Sequence, residues 1–350
     1  MNKLEKELLN TNYIIPYGRT YFNDDSLILS FSYTGIKYSF VGTKTIIHFD
    51  YDLNNEQHPY IAIFINKQFL TYLDLRNSEM IEVKNEIIID NLDNDLHTII
   101  IHKLSEVDQR LSIKSIGCDG HFVIPNKHKY NHKIEIYGDS LTCGLGLLGN
   151  INDPNYYLKD ENVLLSYGIV ASSLLQADTS LISISGFPLY KSPYNENSII
   201  KNIPSLLNLS DFHHQKNIND LPKYFHQVFN PDLIIINLGA NDKSYLDVHN
   251  DELDEFIINF KKQYIQFIKD LKIIHPSSKI LSLTFKRYTN KTINKAIDEI
   301  YKQLNDPNIY RLSIKLIGNY RFGSGYHPSQ YMHLKYANNL VEFIKDNIFK

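Results

Sequence analysis

Over the first third of the chain, apolar side chains come in short alternating or β-branched runs. These are Leu27–Ser32, Lys37–Phe40, Thr45–Phe49, Tyr60–Ile65, Glu86–Ile89, His97–His102 and Leu111–Ile116. Polar turn stretches separate them, such as 50–55 (DYDLNN) and 90–95 (DNLDND). Runs of this kind predict many short strands in an antiparallel sandwich of jelly-roll type. The pattern changes after the polar, charged stretch 125–132 (PNKHKYNH), which reads as a linker. Beyond it, apolar strands (Lys133–Tyr137, Ser180–Ile184, Leu233–Leu238, Ile280–Phe285, Ile309–Leu316) alternate with amphipathic helices (Val163–Gln176, Asp251–Ile274, Asn290–Leu304, Gln330–Ile348). In the last helix Tyr331, Leu334, Ala337, Asn338, Val341 and Ile344 fall near a 3.6-residue period. Strand–helix alternation implies a parallel sheet with helices on both faces. The expected organisation is a β-sandwich domain over 1–128 and an α/β domain over 129–350.

Composition narrows the function. The chain has 350 residues, enough for two domains at roughly 100–200 residues each. A hydrophobic fraction of 43% with 21% charged residues is ordinary globular chemistry. Lys+Arg 36 against Asp+Glu 39 leaves a formal net charge of -3, which gives no reason to expect nucleic acid or a polybasic membrane contact. Cys118 and Cys143 allow at most one disulfide and no four-thiolate zinc site. The N-terminal MNKLEKELLNTNYIIPYGRT has no apolar h-region or small-residue cleavage site, and no apolar run reaches transmembrane length. A natural chain beginning here is expected in the cytoplasm; a chain trimmed of a secretion signal would look the same. With 25 Tyr, 18 Phe and 0 Trp, any sugar-stacking platform must be Tyr or Phe.

In parallel sheets, chemistry sits where strands end and helices begin. Three such places stand out. At 134–146 (IEIYGDSLTCGLG) a strand runs into Gly138-Asp-Ser140, which places a serine hydroxyl on the strand-to-helix turn. At 231–242 (PDLIIINLGAND) a second strand ends in Gly239-Ala-Asn241-Asp242, where an Asn amide can donate to a developing oxyanion. At 325–333 (GYHPSQYMH) His327 precedes the C-terminal helix, with Pro328 near its first position. That suits a general base delivered from a loop. His333, within the helix, reads as structural. His213 and His214 lack metal-type spacing and read as surface or substrate-loop residues, so no metal is expected.

Together these blocks, with Ser185-Gly186 after the second parallel strand, resemble the SGNH (GDSL-type) hydrolases. More narrowly, the chain is similar to carbohydrate esterase family two, the acetylxylan and related polysaccharide O-acetyl esterases. Further matching stretches are 17–20 (YGRT), 40–43 (FVGT) and 97–106 (HTIIIHKLSE). The resemblance runs in order over nearly the whole chain. It implies a jelly-roll domain followed by an SGNH domain with a flavodoxin-like, five-stranded parallel sheet. It makes Ser140 the nucleophile and His327 the base. The oxyanion donors would be the backbone N–H groups of Ser140 and Gly186 and the Asn241 side chain. The Gly186 block departs from the family, which often continues SGKG where this chain reads SGFP.

A second departure concerns the triad. The family usually carries Asp three residues before the catalytic His, and here that residue is Ser324. A Ser–His dyad with the imidazole oriented by a backbone carbonyl is the expected arrangement. A carboxylate arriving from elsewhere, or a degraded enzyme, are the alternatives. The resemblance implies an acetylated carbohydrate as substrate, no cofactor, and an acyl-enzyme mechanism. Tyr245 and Tyr326 are candidate substrate-binding residues, and 187–222 is expected to form a loop over the site. A sugar O-acetyltransferase, a GDSL lipase or thioesterase, and a non-catalytic carbohydrate-binding protein are the competing readings.

Overall fold

The computed structural model describes residues 5–8 (backbone), 12–24, 26–51, 58–75, 85–106, 110–195, 197–213, 217–318 and 320–350. The chain divides into two compact units, Met1–Lys129 and Tyr130–Lys350.

The first unit is all β. Its strands are β1 (Glu5–Leu8), β2 (Ile14–Tyr17), β3 (Thr20–Asn23), β4 (Ser26–Leu29), β5 (Gly35–Gly42), β6 (Thr45–Asp50), β7 (Tyr60–Ile65), β8 (Gln68–Asp74), β9 (Glu86–Ile89), β10 (Asp95–Lys103), β11 (Leu111–Cys118) and β12 (His121–Val123). Among the described residues they form two six-stranded antiparallel sheets. One runs β3-β4-β11-β6-β9 with β1 also on β11; the other runs β12-β5-β10-β7-β8 with β2 also on β5. Alternation sets the inward faces. Ile36, Tyr38 and Phe40 of β5 and Ile99 and Ile101 of β10 are fully buried against Ile47, Phe49 and Ile113 of the facing sheet. A register shift between Ile113 and Ser115, where β11 meets β6, re-phases the strand so that Ile113 and Ile116, three apart, both enter this core.

The second unit is α/β. Strands β13 (His132–Gly138), β14 (Ala177–Ser183), β15 (Leu233–Asn237), β16 (Lys279–Phe285) and β17 (Ile309–Ile314) make a parallel sheet in the order β14-β13-β15-β16-β17. This is the flavodoxin-like order, with its switch point between β13 and β15. The helices are α1 (Ser140–Cys143), α2 (Tyr167–Leu174), α3 (Ala240–Val248), α4 (Leu253–Ile274), α5 (Lys291–Leu304) and α6 (Gln330–Asn347). Tyr167 and Ala171 of α2 and Met332, Tyr336, Leu340 and Ile344 of α6 share a core with Ile134, Ile136, Ile235 and Leu283 of the sheet. On the opposite face Tyr137 meets Phe267 of α4 edge to face at 5.2 Å. Among the described residues no helix is long and apolar enough to cross a membrane. Cys118 and Cys143 are buried thiols without a disulfide.

The segment 187–222 is a closely packed loop: Leu189, Ile200, Ile203, Leu206, Leu207 and Leu209 are buried, and Leu209 bridges Lys223. One expectation is corrected. His213 is buried, not at the surface, and its Nδ1–H donates to Asp211 at 2.8 Å. His214 lies outside the described residues.

Candidate active site

Gly138 ends β13, and a Cβ built there would stand 2.0 Å from the Thr142 hydroxyl oxygen. Only glycine lets the chain fold back this tightly into α1. Asp139 caps α1 in extended conformation, its carboxylate accepting the Leu141 N–H at 3.1 Å. Ser140 is therefore the first helical residue and sits at the carboxyl edge of the sheet, beside the switch point. Its hydroxyl donates to Nε2 of His327 at 2.9 Å.

His327 lies in a loop tied down at both ends. Its carbonyl accepts the Gly323 N–H at 2.8 Å, and Phe322 and Pro328 form an isolated bridge. The Ser324 N–H donates to the Gly146 carbonyl and the Gln330 N–H to the Leu147 carbonyl, which fastens this loop to the segment after α1. Pro328 lies just before Ser329, the cap of α6, whose first helical residue is Gln330. On the far side of the imidazole, Nδ1–H points to the carbonyl of Gly325 at 3.3 Å. That carbonyl can act only as acceptor, so it selects the tautomer whose Nε2 is free to take the serine proton. Burial disfavours the imidazolium and lowers the His327 pKa to about 4.

Ser324 is fully buried, and its hydroxyl has no hydrogen-bond partner among the described residues. It faces Gly146 and Gly149, where built Cβ atoms would come within 2.9 and 2.5 Å of its Oγ. A carbonyl thus meets Nδ1 where the family usually has Asp.

Asn241, the second residue of α3, follows Gly239 at φ 119°. Its side-chain amide donates to Asp139 Oδ2 at 3.3 Å and to the Phe187 carbonyl at 3.1 Å. Loops after β13, β14 and β15 therefore converge on one amide. Gly186, at φ 78°, lies in the loop after β14, and a Cβ there would approach the Cβ of Tyr194 to 3.2 Å. Asp242 is buried and accepts the N–H groups of Leu189, Tyr190 and Lys191 at 2.8, 2.8 and 3.3 Å. Burial pushes its carboxyl up to about 7, against the pull of those donors. It clamps the segment that follows Gly186.

The two candidate substrate tyrosines differ. Tyr326 is exposed beside His327, at φ 59°. Tyr245 is buried, stacked on His249 at 4.2 Å and near Phe256, with its hydroxyl donating to Glu252 at 2.9 Å. It stands one helical turn after Asn241 in α3, and its hydroxyl also accepts from Lys191 Nζ at 3.4 Å. His333 is fully buried and its Nδ1 accepts the Tyr167 N–H at 3.0 Å. Two neighbours of the site carried no sequence signal. Tyr156 stands edge-on to His327 with ring centroids 5.4 Å apart, and Tyr194 lies against Gly186. Partial desolvation, then the nearby Tyr194, raise the pKa of the half-exposed Tyr156 phenol, so its hydroxyl stays protonated.

Comparison with known proteins identifies the family. Residues 134–340 match the model of the GDSL-like lipase/acylhydrolase family. The acetylxylan esterase/glucomannan deacetylase of Cellvibrio japonicus is 25% identical over 244 residues, covering 66% of this chain and 62% of that protein. Cellulase/esterase CelE of Acetivibrio thermocellus is 25% identical over 227 residues, covering 62% of this chain and 26% of that protein. The chain thus spans less than two thirds of the length of either relative. The fold is shared with a family two carbohydrate esterase from Clostridium thermocellum, solved in complex with cellohexaose, at a TM-score of 0.79 and 19% identity over 95% of this chain and 98% of that one. A strand–turn serine at the switch point, an Asn-bearing third strand end and a family match spanning both make this chain a member of the GDSL-like lipase/acylhydrolase family.

Proposed function

We propose that this protein is a carbohydrate esterase that removes acetyl groups from acetylated sugars, with Ser140 as nucleophile and His327 as base. The observation that carries this reading is the serine hydroxyl on Nε2 at 2.9 Å with Nδ1–H facing a fixed carbonyl. The names of the curated relatives, an acetylxylan esterase and a cellulase/esterase, support the substrate class. The oligosaccharide complex named for the Clostridium enzyme supports a saccharide ligand.

In this reading Ser140 Oγ attacks the acetyl carbonyl carbon as its proton passes to Nε2. The backbone N–H groups of Ser140 and Gly186 and the Asn241 amide receive the oxyanion. The Asn241 N–H that now faces the Phe187 carbonyl is then shared with the substrate oxygen. The bond to the sugar oxygen breaks, and the Nε2 proton goes to the departing hydroxyl. Water, deprotonated by His327, attacks the acetyl-serine and releases acetate. A carbonyl orients the imidazole as a carboxylate would but stabilises imidazolium less, so the base works without a full countercharge.

Acetate release from acetylated mono-, oligo- and polysaccharides tests this, with Ser140→Ala in parallel. The expected result is release from acetylated oligosaccharides that falls to background in the variant while circular dichroism is unchanged. Undiminished release by Ser140→Ala overturns the mechanism, and faster hydrolysis of long-chain acyl esters than of acetyl esters overturns the substrate.

A further inference from the structure

The carbonyl that orients His327 belongs to a residue with an unusual backbone. Gly325 sits at φ 56° and the next residue, Tyr326, at φ 59°. A peptide between two left-handed residues, one of them glycine, is the softest place in the loop, and turning its plane would swing the carbonyl off Nδ1. Something has to hold it.

The holding groups come from residues 153–156. The Gly325 N–H donates to the Asp153 carbonyl at 3.0 Å. The Tyr156 hydroxyl donates to the Gly325 carbonyl at 3.4 Å, sharing that oxygen with His327 Nδ1–H. The two grips are joined by a turn in which the Asp153 carboxylate accepts the Asn155 N–H at 3.0 Å. The Tyr156 ring also fills the space a side chain at 325 would need, since a Cβ there would lie 2.2 Å from Cε1 of the ring. The same ring meets the imidazole edge to face at 84°. One side chain thus touches the imidazole, its hydrogen-bond acceptor and the peptide carrying that acceptor.

We infer that Tyr156 is a positioning residue for His327, bracing through the Gly325 carbonyl the orientation that an aspartate gives in relatives with a full triad. The inference rests on the Ser140–His327 reading above. Because Tyr156 is 56% exposed, replacing it leaves the core intact.

The test uses the full chain and p-nitrophenyl acetate, a substrate without a sugar, so that any stacking of Tyr156 on saccharide does not enter. Tyr156→Ala is expected to lower kcat at least tenfold with KM within twofold. The low-field proton resonance of His327 Nδ1–H, assigned by its loss in His327→Ala, should broaden or move upfield. Tyr156→Phe keeps the ring but loses the hydroxyl's grip on the Gly325 carbonyl, so it should recover only part of kcat; Tyr156→Leu replaces the Ala variant if the latter is unfolded by circular dichroism. An unchanged kcat and an unchanged Nδ1–H resonance in Tyr156→Ala would overturn the inference, also if KM for acetylated oligosaccharides rises, which would make Tyr156 a sugar contact only. If Ser140→Ala is as active as the wild type, the esterase mechanism fails instead, and the resonance still reports whether Tyr156 holds the imidazole.

Discussion

Ser140 and His327 stand 187 residues apart along the chain, and their Oγ and Nε2 atoms stand 2.9 Å apart. Among the described residues, Nδ1–H of the imidazole faces the Gly325 carbonyl and no carboxylate, and burial lowers its pKa to about 4. In the proposed mechanism His327 works as the neutral form. The acid limb of kcat/KM for p-nitrophenyl acetate should therefore lie near pH 4, with full activity through pH 6.5, where an ordinary histidine would be half protonated. A pH–rate profile on wild type, corrected with Ser140→Ala, checks this. An acid limb at 6 or above would mean a solvated imidazole or an unseen anionic partner.

Asn241 offers a second handle. Its amide joins the turns after β13 and β14 through Asp139 and Phe187. If it also receives the oxyanion, Asn241→Ala should lower kcat by about 10²–10³ with little change in KM, because the interaction strengthens only as charge develops. Asn241→Asp should be at least as poor, since a carboxylate repels the oxyanion. Parallel losses in kcat and thermal stability, with activity restored on cooling, would reduce Asn241 to a structural tie.

Alternation of side chains makes β5 and β10 legible, and the strand-end motifs mark Ser140, Asn241 and His327 because residue type decides what those positions can do. What escapes is set by backbone direction and by burial. Strand β8 carries exposed Phe69, Leu70 and Tyr72, so it lacks a clean inward face. Its hairpin turns through Asn66 and Lys67 at φ 51° and 70°, without the glycine that usually announces such a turn. Strand β2 contains Pro16, which reads against a strand, yet it pairs along the edge of β5. Near the site, the acceptor for His327 is a main-chain carbonyl, and its aim depends on φ at Gly325, which no residue spacing reveals. Tyr156 is one of 25 tyrosines in a polar loop, without periodicity or motif to single it out. His213 looks like a surface histidine until the fold buries it on Asp211.

Gly325 itself is testable. Alanine there must adopt a left-handed φ of 56°, which costs about 1 kcal/mol, and must displace the Tyr156 ring. Gly325→Ala should lose about 1–2 kcal/mol of stability, a few degrees in Tm, with a proportionally much larger loss in kcat. The kcat loss should persist at temperatures far below Tm. Wild-type kcat in the variant would show that the carbonyl tolerates reorientation.

Buried imidazoles set how the protein meets acid. Burial lowers His102 to about 4, and burial with the nearby His327 lowers His333 to about 3. Each is neutral when folded and takes up a proton on unfolding once the pH is below 6.5, so each contributes stability that is lost as pH falls from 6.5 toward its folded pKa. For one such group the slope is about 1.4 kcal/mol per pH unit. The more accessible His327 adds less. Asp242, raised to about 7, has the opposite sign, because it holds a proton when folded that it releases on unfolding above its ordinary value. Among these groups the histidines prevail, and urea-unfolding midpoints should fall between pH 6.5 and pH 5. His102 provides the test, since a phenyl ring can keep its stacking on Tyr33 at 4.8 Å and its tilted contact with Tyr17 at 4.9 Å; only the Nδ1–H bond to the Tyr33 carbonyl at 3.3 Å is lost, which lowers stability at every pH without adding a slope. In His102→Phe the pH dependence of the first unit's transition should flatten by about 1 kcal/mol per unit over that range. An unchanged slope would show that His102 gains no proton on unfolding.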